Sequence, residues 1–228
     1  MLKWFFVSFA ALALLTRASL SQTMGSVSGT VMDQAGKPIN GIWVTAVRTA
    51  LPPASGAATS DATGLFLIQN LPAGPYKICA QSPSWQYLDP CFWTDPVAGA
   101  AFPASIIASK TTTVPVKLQS AAKLQIRVND PQQLLGPAHP ERDVAVDVLT
   151  PARVYFRARL ASQDPAGRTM EVPIPSDREL RVLVTPTQVS LVDATNTAVP
   201  GAGTIMAVTH PGAATAPALV TFTVSAAQ

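Results

Sequence analysis

Apolar and polar residues alternate along much of the chain, in short runs that end at turns rich in glycine, proline and aspartate. The stretch "GLFLIQNLPAGPYKICAQ", residues 64–81, shows this pattern twice, with a Pro-Ala-Gly turn between the two runs. Alternation with a period of two is typical of β-strands that bury one face. The stretch therefore predicts a hairpin in which Leu65, Leu67, Tyr76 and Ile78 face one core.

Residues 25–47, "GSVSGTVMDQAGKPINGIWVTAV", predict another hairpin, because two alternating runs flank the turn "DQAGKP". Residues 48–64 are so rich in Pro, Ala, Ser and Gly that we expect an irregular loop there. A last strand is predicted at residues 111–118, "TTTVPVKL". Together these elements predict one β-sandwich domain over residues 22–119.

Seven more strand-like runs follow in residues 120–228, separated by turns such as "DPAG", "PSD" and "DATN". They predict a second β-sandwich domain of immunoglobulin or prealbumin type. The run "GRTMEVPIPSDRELRVLV", residues 167–184, echoes the spacing of residues 64–80 and indicates a half-repeat. The predicted fold class is all-β with two tandem sandwiches, and the Pro-rich segment 129–143 is expected to be a surface loop.

The N-terminus has the pattern of a secretory signal peptide, since Lys3 precedes an apolar run over residues 4–15 that small residues follow. A membrane helix needs about 20 apolar residues, so no membrane span is expected. We expect residues 1–21 to be removed, and cleavage after Ala18 also fits the pattern. The mature protein is then predicted to be secreted, periplasmic or on the cell surface.

Loss of the signal peptide lowers the formal net charge from +3 to +1, because Lys3 and Arg17 are two of the 16 basic residues. The other charges are balanced in both halves of the chain, with no cluster of Lys and Arg. Binding to nucleic acid requires such a cluster. A nucleic-acid partner is therefore not expected.

Cys79 and Cys91 are the two cysteines of the chain, and in an exported protein they predict one disulfide. A bridge that closes a loop of this size stabilises a fold by about 3 kcal/mol in the chain-entropy model. Two buried free thiols are the alternative. A zinc site is not expected, because neither histidine stands at a ligand spacing from the cysteines, and we expect no metal or other cofactor.

An ordered set of turn and strand residues resembles the carboxypeptidase regulatory-like domain over roughly residues 26–119. The positions that carry this resemblance are Gly29, Val31, Asp33, Gly36, Pro38, Thr59, Asp61, Gly64, Phe66, Leu71, Pro72, Gly74 and Tyr76. The resemblance implies a seven-stranded prealbumin-like β-sandwich with a non-catalytic, accessory role. The sequence departs from the family pattern in the cysteine loop and at Trp43, where a small or aliphatic residue is usual.

Four aromatic residues are concentrated in "SPSWQYLDPCFW", residues 82–93, and these are the candidate binding residues. They are Trp85, Tyr87, Phe92 and Trp93. Rigid aromatic rings on a tethered loop can stack on sugars or anchor a protein partner. The alternative is that they cover the end of the sandwich as a small core. Trp85 follows small residues and is expected to be the most exposed of the four.

Motifs of catalysis are not found in the sequence, so no catalytic residue is predicted. His139 and His210 each precede a proline and are expected to lie in loops. Asp33 and Asp61 occupy turn positions, where aspartate accepts hydrogen bonds from backbone amides.

Arg153, Arg157 and Arg159 form a basic stripe in which Arg157 and Arg159 are expected to share one strand face. That face could bind an acidic ligand. The alternative is that these arginines form ion pairs on an exposed sheet. The nearby acidic candidates are Asp147, Glu171 and Glu179.

These features favour a non-enzymatic, secreted or cell-surface protein that acts in binding, adhesion or as a scaffold. Its expected partner is a protein or a polysaccharide at the cell surface. A carbohydrate-binding module that uses the aromatics of the disulfide loop is the alternative. That function requires exposed and roughly coplanar rings, so the accessibility of Trp85 and Trp93 distinguishes the two.

Overall fold

A computed structural model describes residues 24–94, 102–150, 152–176, 179–199, 204–209 and 218–226. The predicted signal peptide lies outside these residues. The described chain is all-β, as predicted, with one short helix in these ranges, α1 (Pro90–Trp93). Nowhere in the described ranges does a helix have the length and hydropathy needed to cross a membrane.

The first sandwich consists of eight strands in two sheets. The strands are β1 (Met24–Asp33), β2 (Trp43–Arg48), β3 (Ser55–Thr59), β4 (Leu65–Pro72), β5 (Gly74–Gln81), β6 (Pro103–Ile106), β7 (Thr111–Thr113) and β8 (Val116–Leu118). One sheet has the order β4-β1-β7, with β8 also paired to β1, and the other has the order β3-β2-β5-β6. Strands β7 and β8 both run parallel to β1.

Alternating residues of the strands fill the core between these two sheets. Val27 and Val31 on β1, and Val44 and Ala46 on β2, are fully buried, as the sequence pattern predicts. Tyr76 and Ile78 on β5 are buried as well, but the prediction for Leu65 and Leu67 is wrong. Both leucines are about half exposed, and their neighbours on β4 occupy the core instead. Both faces of β4 carry apolar residues, so the alternation does not fix which face is buried.

The two predicted hairpins are also wrong, because β1 does not pair with β2 and β4 does not pair with β5. Each predicted turn instead carries the chain from one sheet to the other. At the second crossing Gly74 has a positive φ of 147°, and the Tyr76 hydroxyl donates to the Pro72 carbonyl oxygen over 2.9 Å. Arg48 also donates to the Ala73 carbonyl oxygen, over 2.9 Å. These bonds hold a corner between sheets that the sequence presents as a hairpin turn.

The expected irregular loop at residues 48–64 contains a strand, β3, which pairs with β2 at the edge of its sheet. The residues of β3 are mostly small and have little preference for strands. Hydrogen bonding to β2 holds this segment as a strand. The single strand predicted at residues 111–118 is divided into β7 and β8, with Val114 and Pro115 between them.

The second sandwich contains ten strands in two sheets. They are β9 (Ala122–Asn129), β10 (Asp143–Leu149), β11 (Tyr155–Arg157), β12 (Arg159–Asp164), β13 (Gly167–Ile174), β14 (Glu179–Thr187), β15 (Val189–Asp193), β16 (Ala198–Val199), β17 (Thr204–Thr209) and β18 (Ala218–Ala226). The sheet orders are β12-β13-β9-β18-β15-β16 and β11-β10-β14-β17. The predicted surface loop at residues 129–143 lies between β9 and β10.

The two sandwiches repeat one strand order. The sequence β4-β1-β7 in the first corresponds to β13-β9-β18 in the second, and β3-β2-β5-β6 corresponds to β11-β10-β14-β17. In both, the last strand runs parallel to the first. Strands β12, β15 and β16 are additions to the second sandwich. The predicted half-repeat therefore lies on equivalent strands, with β4 and β13 in one sheet and β5 and β14 in the other.

An equivalent turn precedes β4 and β13. It has the sequence "DATG" at residues 61–64 and "DPAG" at residues 164–167. The aspartate at each start accepts backbone N–H bonds within the turn, from Thr63 and Leu65 to Asp61 and from Ala166 to Asp164. For Asp61 this confirms the predicted turn role.

Gly29 is one of the positions at which the first sandwich has no room for a side chain. An added Cβ would lie 1.9 Å from the Val114 carbonyl oxygen and 2.8 Å from the Phe66 ring. Val114 is tied to β1 at this point, since its N–H donates to the Ser28 carbonyl oxygen over 2.8 Å. The chain between β7 and β8 therefore crosses directly over Gly29.

We expect Gly29→Ala to lower the free energy of unfolding by more than about 2 kcal/mol, because the backbone at Val114 must move to admit the methyl group. Gly136→Ala is the matched control, since its Cβ would meet the Gln133 carbonyl oxygen at an ordinary 3.4 Å. Urea denaturation of both variants measures the effect. Equal stability of the two variants would contradict this packing.

Candidate functional site

The disulfide loop, residues 82–93, leaves the first sandwich at the end of β5 and is fixed at both of its ends. The predicted bridge between Cys79 on β5 and Cys91 on α1 is confirmed, with an S–S distance of 2.01 Å. Asp89 caps α1, because its Oδ1 accepts from the Cys91 N–H over 2.8 Å. The loop is therefore held at the edge of the sheet by a covalent bond and by a helix cap.

The far side of this loop belongs to the core of the second sandwich. Leu88 and Trp93 are 4% and 6% exposed and cluster with the buried residues of β9, β10, β13 and β14. Backbone hydrogen bonds also tie the loop to the chain that leads into β9. The Leu88 N–H donates to Gln119, and the Ala121 N–H donates to Gln86. The loop thus connects the two sandwiches and does more than cover the end of the first.

Phe156 of β11 is the residue on which three loop aromatics converge. Its ring centre lies 5.5 Å from that of Trp85, 5.4 Å from that of Phe92 and 6.4 Å from that of Trp93. The first two contacts are edge-to-face, with angles of 64° and 71° between the ring planes. Such geometry is attractive for aromatic pairs. We call these four residues the aromatic joint.

Arg159 of β12 covers the Trp85 ring, since its guanidinium carbon lies 3.9 Å from the centre of that ring. The same guanidinium donates to Glu171 Oε1 over 2.8 Å. That hydrogen bond, with further help from Lys123, holds the pKa of Glu171 below its ordinary value. Trp85 is therefore half-buried, as Tyr87 and Phe92 are, and one side of its ring is covered by Arg159. That Trp85 is the most exposed of the four stays a prediction.

The arginine stripe is divided by the fold. Arg157 ends β11 and Arg159 begins β12, which lie in different sheets, so the expectation of one shared face is wrong. Arg157 pairs with Asp147 through two bonds of 2.6 and 3.1 Å. The alternative of ion pairing is thus confirmed for Arg157 and Arg159. His139 lies in a loop, as predicted, with its Nδ1 3.6 Å from Glu141, and His210 lies outside the described residues.

A cleft of about 260 Å³ opens beside the aromatic joint. It brings together all four residues predicted from the sequence, which are Trp85, Tyr87, Phe92 and Trp93. Its other lining residues are Trp43, Gln81, Ser82, Pro83, Asp89, Phe156 and Pro173. The first sandwich and the disulfide loop supply most of this lining, and Phe156 and Pro173 close it from the second sandwich.

Trp43 is an aromatic residue of the cleft that lies outside the aromatic cluster of residues 82–93 and was not predicted as a binding residue. It is 53% exposed, whereas Trp93 is 6% exposed and Trp85, Tyr87 and Phe92 are half-buried. Its departure from the family pattern was the one sequence signal that could have identified it. The sequence gives no indication that Phe156 contacts the disulfide loop, because β11 lies about 65 residues away from the loop along the chain.

Asp89 lines the cleft as a buried carboxylate that is only partly satisfied. It is 7% exposed, and burial raises its pKa against the opposing effects of the Cys91 N–H bond, of the Gln81 side chain, of the Ala80 backbone and of the Lys77 charge. Its Oδ2 and the Trp93 Nε1 have no hydrogen-bond partner among the described residues. Cys79, Asp89 and Cys91 lie together, but both sulfurs are committed to the disulfide and are not free to bind a metal.

Comparison with known proteins shows a family similarity within the first sandwich. Residues 26–87 match the model of the carboxypeptidase regulatory-like domain. The resemblance drawn from the turn and strand residues is therefore confirmed over residues 26–87 of the roughly 26–119 for which it was expected. The second sandwich is not matched by a family model. No curated protein matches the chain in sequence.

Solved structures with similarity to the chain include two streptococcal pilins and the TIE protein of Bacillus anthracis. The minor pilin GBS52 of Streptococcus agalactiae is 12% identical with a TM-score of 0.43, covering 90% of this chain and 97% of the pilin. A streptococcal ancillary pilin is 13% identical with a TM-score of 0.40, covering 90% of this chain and 63% of that one. The TIE protein of Bacillus anthracis is 12% identical with a TM-score of 0.34, covering 88% and 34%. This chain thus spans about a third of the TIE protein and less than two thirds of the ancillary pilin.

The buried charge of Asp89 predicts a pH dependence of stability. A carboxyl whose pKa is raised on folding makes the folded state bind a proton more tightly, so stability falls as the pH rises from the ordinary value of 3.8 through the raised pKa. Asp89→Asn keeps an oxygen that can accept from the Cys91 N–H but carries no charge. We expect this variant to gain stability relative to the wild type at about pH 7 and to lose that advantage at about pH 4.

Urea denaturation of both proteins at the two pH values measures this difference. Asp61→Asn serves as the control, because hydrogen bonds in an exposed turn lower the pKa of Asp61 and its substitution should act in the opposite sense. A stability difference between Asp89→Asn and the wild type that does not change with pH would contradict a buried, charged Asp89.

Proposed function

We propose that the protein is a non-enzymatic adhesion or scaffold protein of the cell surface, the periplasm or the extracellular space, built from two β-sandwich domains that meet near residues 119 and 120. The observation that carries this proposal is the aromatic joint, in which the disulfide loop of the first sandwich packs into the core of the second. Such packing favours two domains that keep one relative orientation. A scaffold or an adhesion stalk requires that rigidity.

The location is supported by the disulfide, since disulfides persist in oxidising compartments outside the cytosol. The pattern of a signal peptide in residues 1–21 favours the same location. The accessory role is supported by the family of the first sandwich and by the charged groups of the second. Arginines there are used in ion pairs with Asp147, Asp164 and Glu171, which is a structural use of charge.

The alternative of a carbohydrate-binding module that uses the aromatics of the disulfide loop is less well supported. It requires exposed and roughly coplanar rings in the disulfide loop. Trp93 is buried, and the rings of Trp85, Phe92 and Trp93 all contact Phe156 of the second sandwich, with ring centres 5.5, 5.4 and 6.4 Å away. The loop aromatics are thus better suited to joining the two sandwiches than to offering a flat platform.

Loss of the Phe156 ring should uncouple the two sandwiches. We expect Phe156→Ala to lower the free energy of unfolding by about 3 kcal/mol, because three aromatic contacts are lost together. Tryptophan fluorescence reports on the first sandwich and the joint, since Trp43, Trp85 and Trp93 all lie there. Far-ultraviolet circular dichroism reports on both sandwiches. The two signals should give one coincident transition for the wild type and separate transitions for the variant.

Tyr155→Ala is the matched control, because Tyr155 is the preceding residue of β11 and is 53% exposed. It should leave the transitions coincident. Separate transitions in the wild type itself would contradict the proposal that the two sandwiches act as one unit.

The location is tested by labelling intact cells with an amine-reactive biotin reagent that does not cross membranes. Exposed lysines such as Lys37 and Lys117 should be labelled on intact cells, or in the medium or released periplasm if the protein is not attached to the surface. Labelling only after lysis of the cytoplasm would refute the proposed location.

A further inference from the structure

Trp43 stands on the outer face of the sheet β3-β2-β5-β6 with little around it. Its cross-strand neighbours are Thr59 on β3 and Gln81 on β5, and directly opposite residues of an antiparallel pair lie on the same face. Both neighbours are exposed and smaller than the indole. The Trp43 side chain is therefore available to solvent beside a hydroxyl and an amide.

The cleft next to Trp43 carries almost no charge. Asp89 is the one acidic or basic residue that lines it, and its neutral polar lining includes Gln81 and Ser82. The nearby Arg159 is engaged by Glu171 and by the Trp85 ring. An anionic ligand would find no free cation in this lining, and Asp89 is the single lining group with which a cationic ligand could pair. The surroundings therefore disfavour an anion and suit a neutral molecule.

Two unpartnered polar atoms lie among the cleft residues. Asp89 Oδ2 is a hydrogen-bond acceptor and Trp93 Nε1 is a donor, both side chains are more than nine-tenths buried, and neither atom has a hydrogen-bond partner within 3.5 Å among the described residues, although the Gln81 side chain and the Ala80 backbone lie near the Asp89 carboxyl group. Leaving such groups unsatisfied is unfavourable by about 1–3 kcal/mol each. A hydroxyl group can donate to the first and accept from the second. A proline ring can do neither.

We propose that this cleft binds a neutral saccharide, with a sugar ring stacked on Trp43 and with sugar hydroxyls bonded to the polar lining at Gln81 and Asp89. Sugar rings present C–H faces to an indole and hydroxyl edges to amides and carboxylates, which are the two kinds of group found here. A volume of about 260 Å³ lies just below the usual range for ligand sites, so it holds a short stretch of about two rings. The proposal goes beyond the scaffold role and assigns the recognition to Trp43 instead of Trp85.

The probes are neutral hexasaccharides of glucose, mannose, xylose and N-acetylglucosamine, titrated into the mature protein by calorimetry up to about 10 mM. We expect at least one of them to bind, and Trp43→Ala to weaken that binding at least about tenfold. Trp43→Phe should retain part of the affinity, since an aromatic ring remains. Gln81→Ala should weaken binding as well, because it removes the amide beside the ring.

Val47→Ala is the matched control. Val47 lies on the same strand and the same face as Trp43, is 44% exposed and is not part of the cleft lining. It should bind the sugar as the wild type does. Urea denaturation of Trp43→Ala and Val47→Ala confirms that both fold, and we expect this because both side chains are largely exposed.

Three results would overturn the proposal. The first is that none of the hexasaccharides binds, and the second is that Trp43→Ala binds as tightly as the wild type. The third is that oligoproline occupies the cleft with loss of affinity in Trp43→Ala, which would make it a peptide site. The unfolding of the wild type separates these outcomes from the scaffold role, because sugar binding can fail while the two sandwiches of the wild type still unfold in one coincident transition.

Discussion

The contact between Phe156 and the disulfide loop is the interaction on which the arrangement of the two sandwiches depends. Each aromatic pair of this kind contributes about 0.5–1.5 kcal/mol beyond the burial of its area. Three such pairs meet at one ring. Their sum is a substantial part of the 5–15 kcal/mol that stabilises a typical domain. The joint is therefore strong enough to make the unfolding of one sandwich affect the other.

The disulfide makes this contact less costly to form. A free loop would lose backbone entropy of about 1–2 kcal/mol for each residue that is ordered when it docks. The bridge from Cys79 to Cys91 and the cap at Asp89 order the end of the loop within the first sandwich. Leu88 and Trp93 are then already positioned to pack into the core of the second sandwich. The disulfide thus fixes the loop in the first sandwich, and the aromatic contacts join the fixed loop to the second sandwich.

The repeated strand order shows where the two sandwiches differ. In the first, the connection from β5 to β6 contains the disulfide loop and α1, and in the second the equivalent connection from β14 to β17 contains β15 and β16. The insertion stands at the same point of the fold in both. In the first sandwich the inserted segment contacts the neighbouring sandwich. In the second sandwich it adds β15 and β16 to its own sheet beside β18.

Sequence reasoning succeeds where the physics is local and fails where it is not. Alternation predicts the buried faces of β1 and β2, and the cysteine count predicts the disulfide, because each depends on neighbours in the chain. Leu65 and Leu67 are misplaced since both faces of β4 are apolar, and the two hairpins are misread because a turn does not reveal whether the chain stays in its sheet. The candidate aromatics were found by composition, but their partners Phe156 and Arg159 are set only by the meeting of two sandwiches.

The three tryptophans of the described chain show how the same side chain is used for different purposes. Trp93 is buried in the second core and contributes to packing, and Trp85 is held between Phe156 and Arg159. Trp43 is 53% exposed and gains little from burial, although an indole is among the side chains that gain most from leaving water. The Trp43 side chain is not part of the buried core of either sandwich, so core packing does not account for an indole there. A large ring that packing does not require, at the rim of a cleft with unpartnered polar atoms, is best explained by a molecule that covers it.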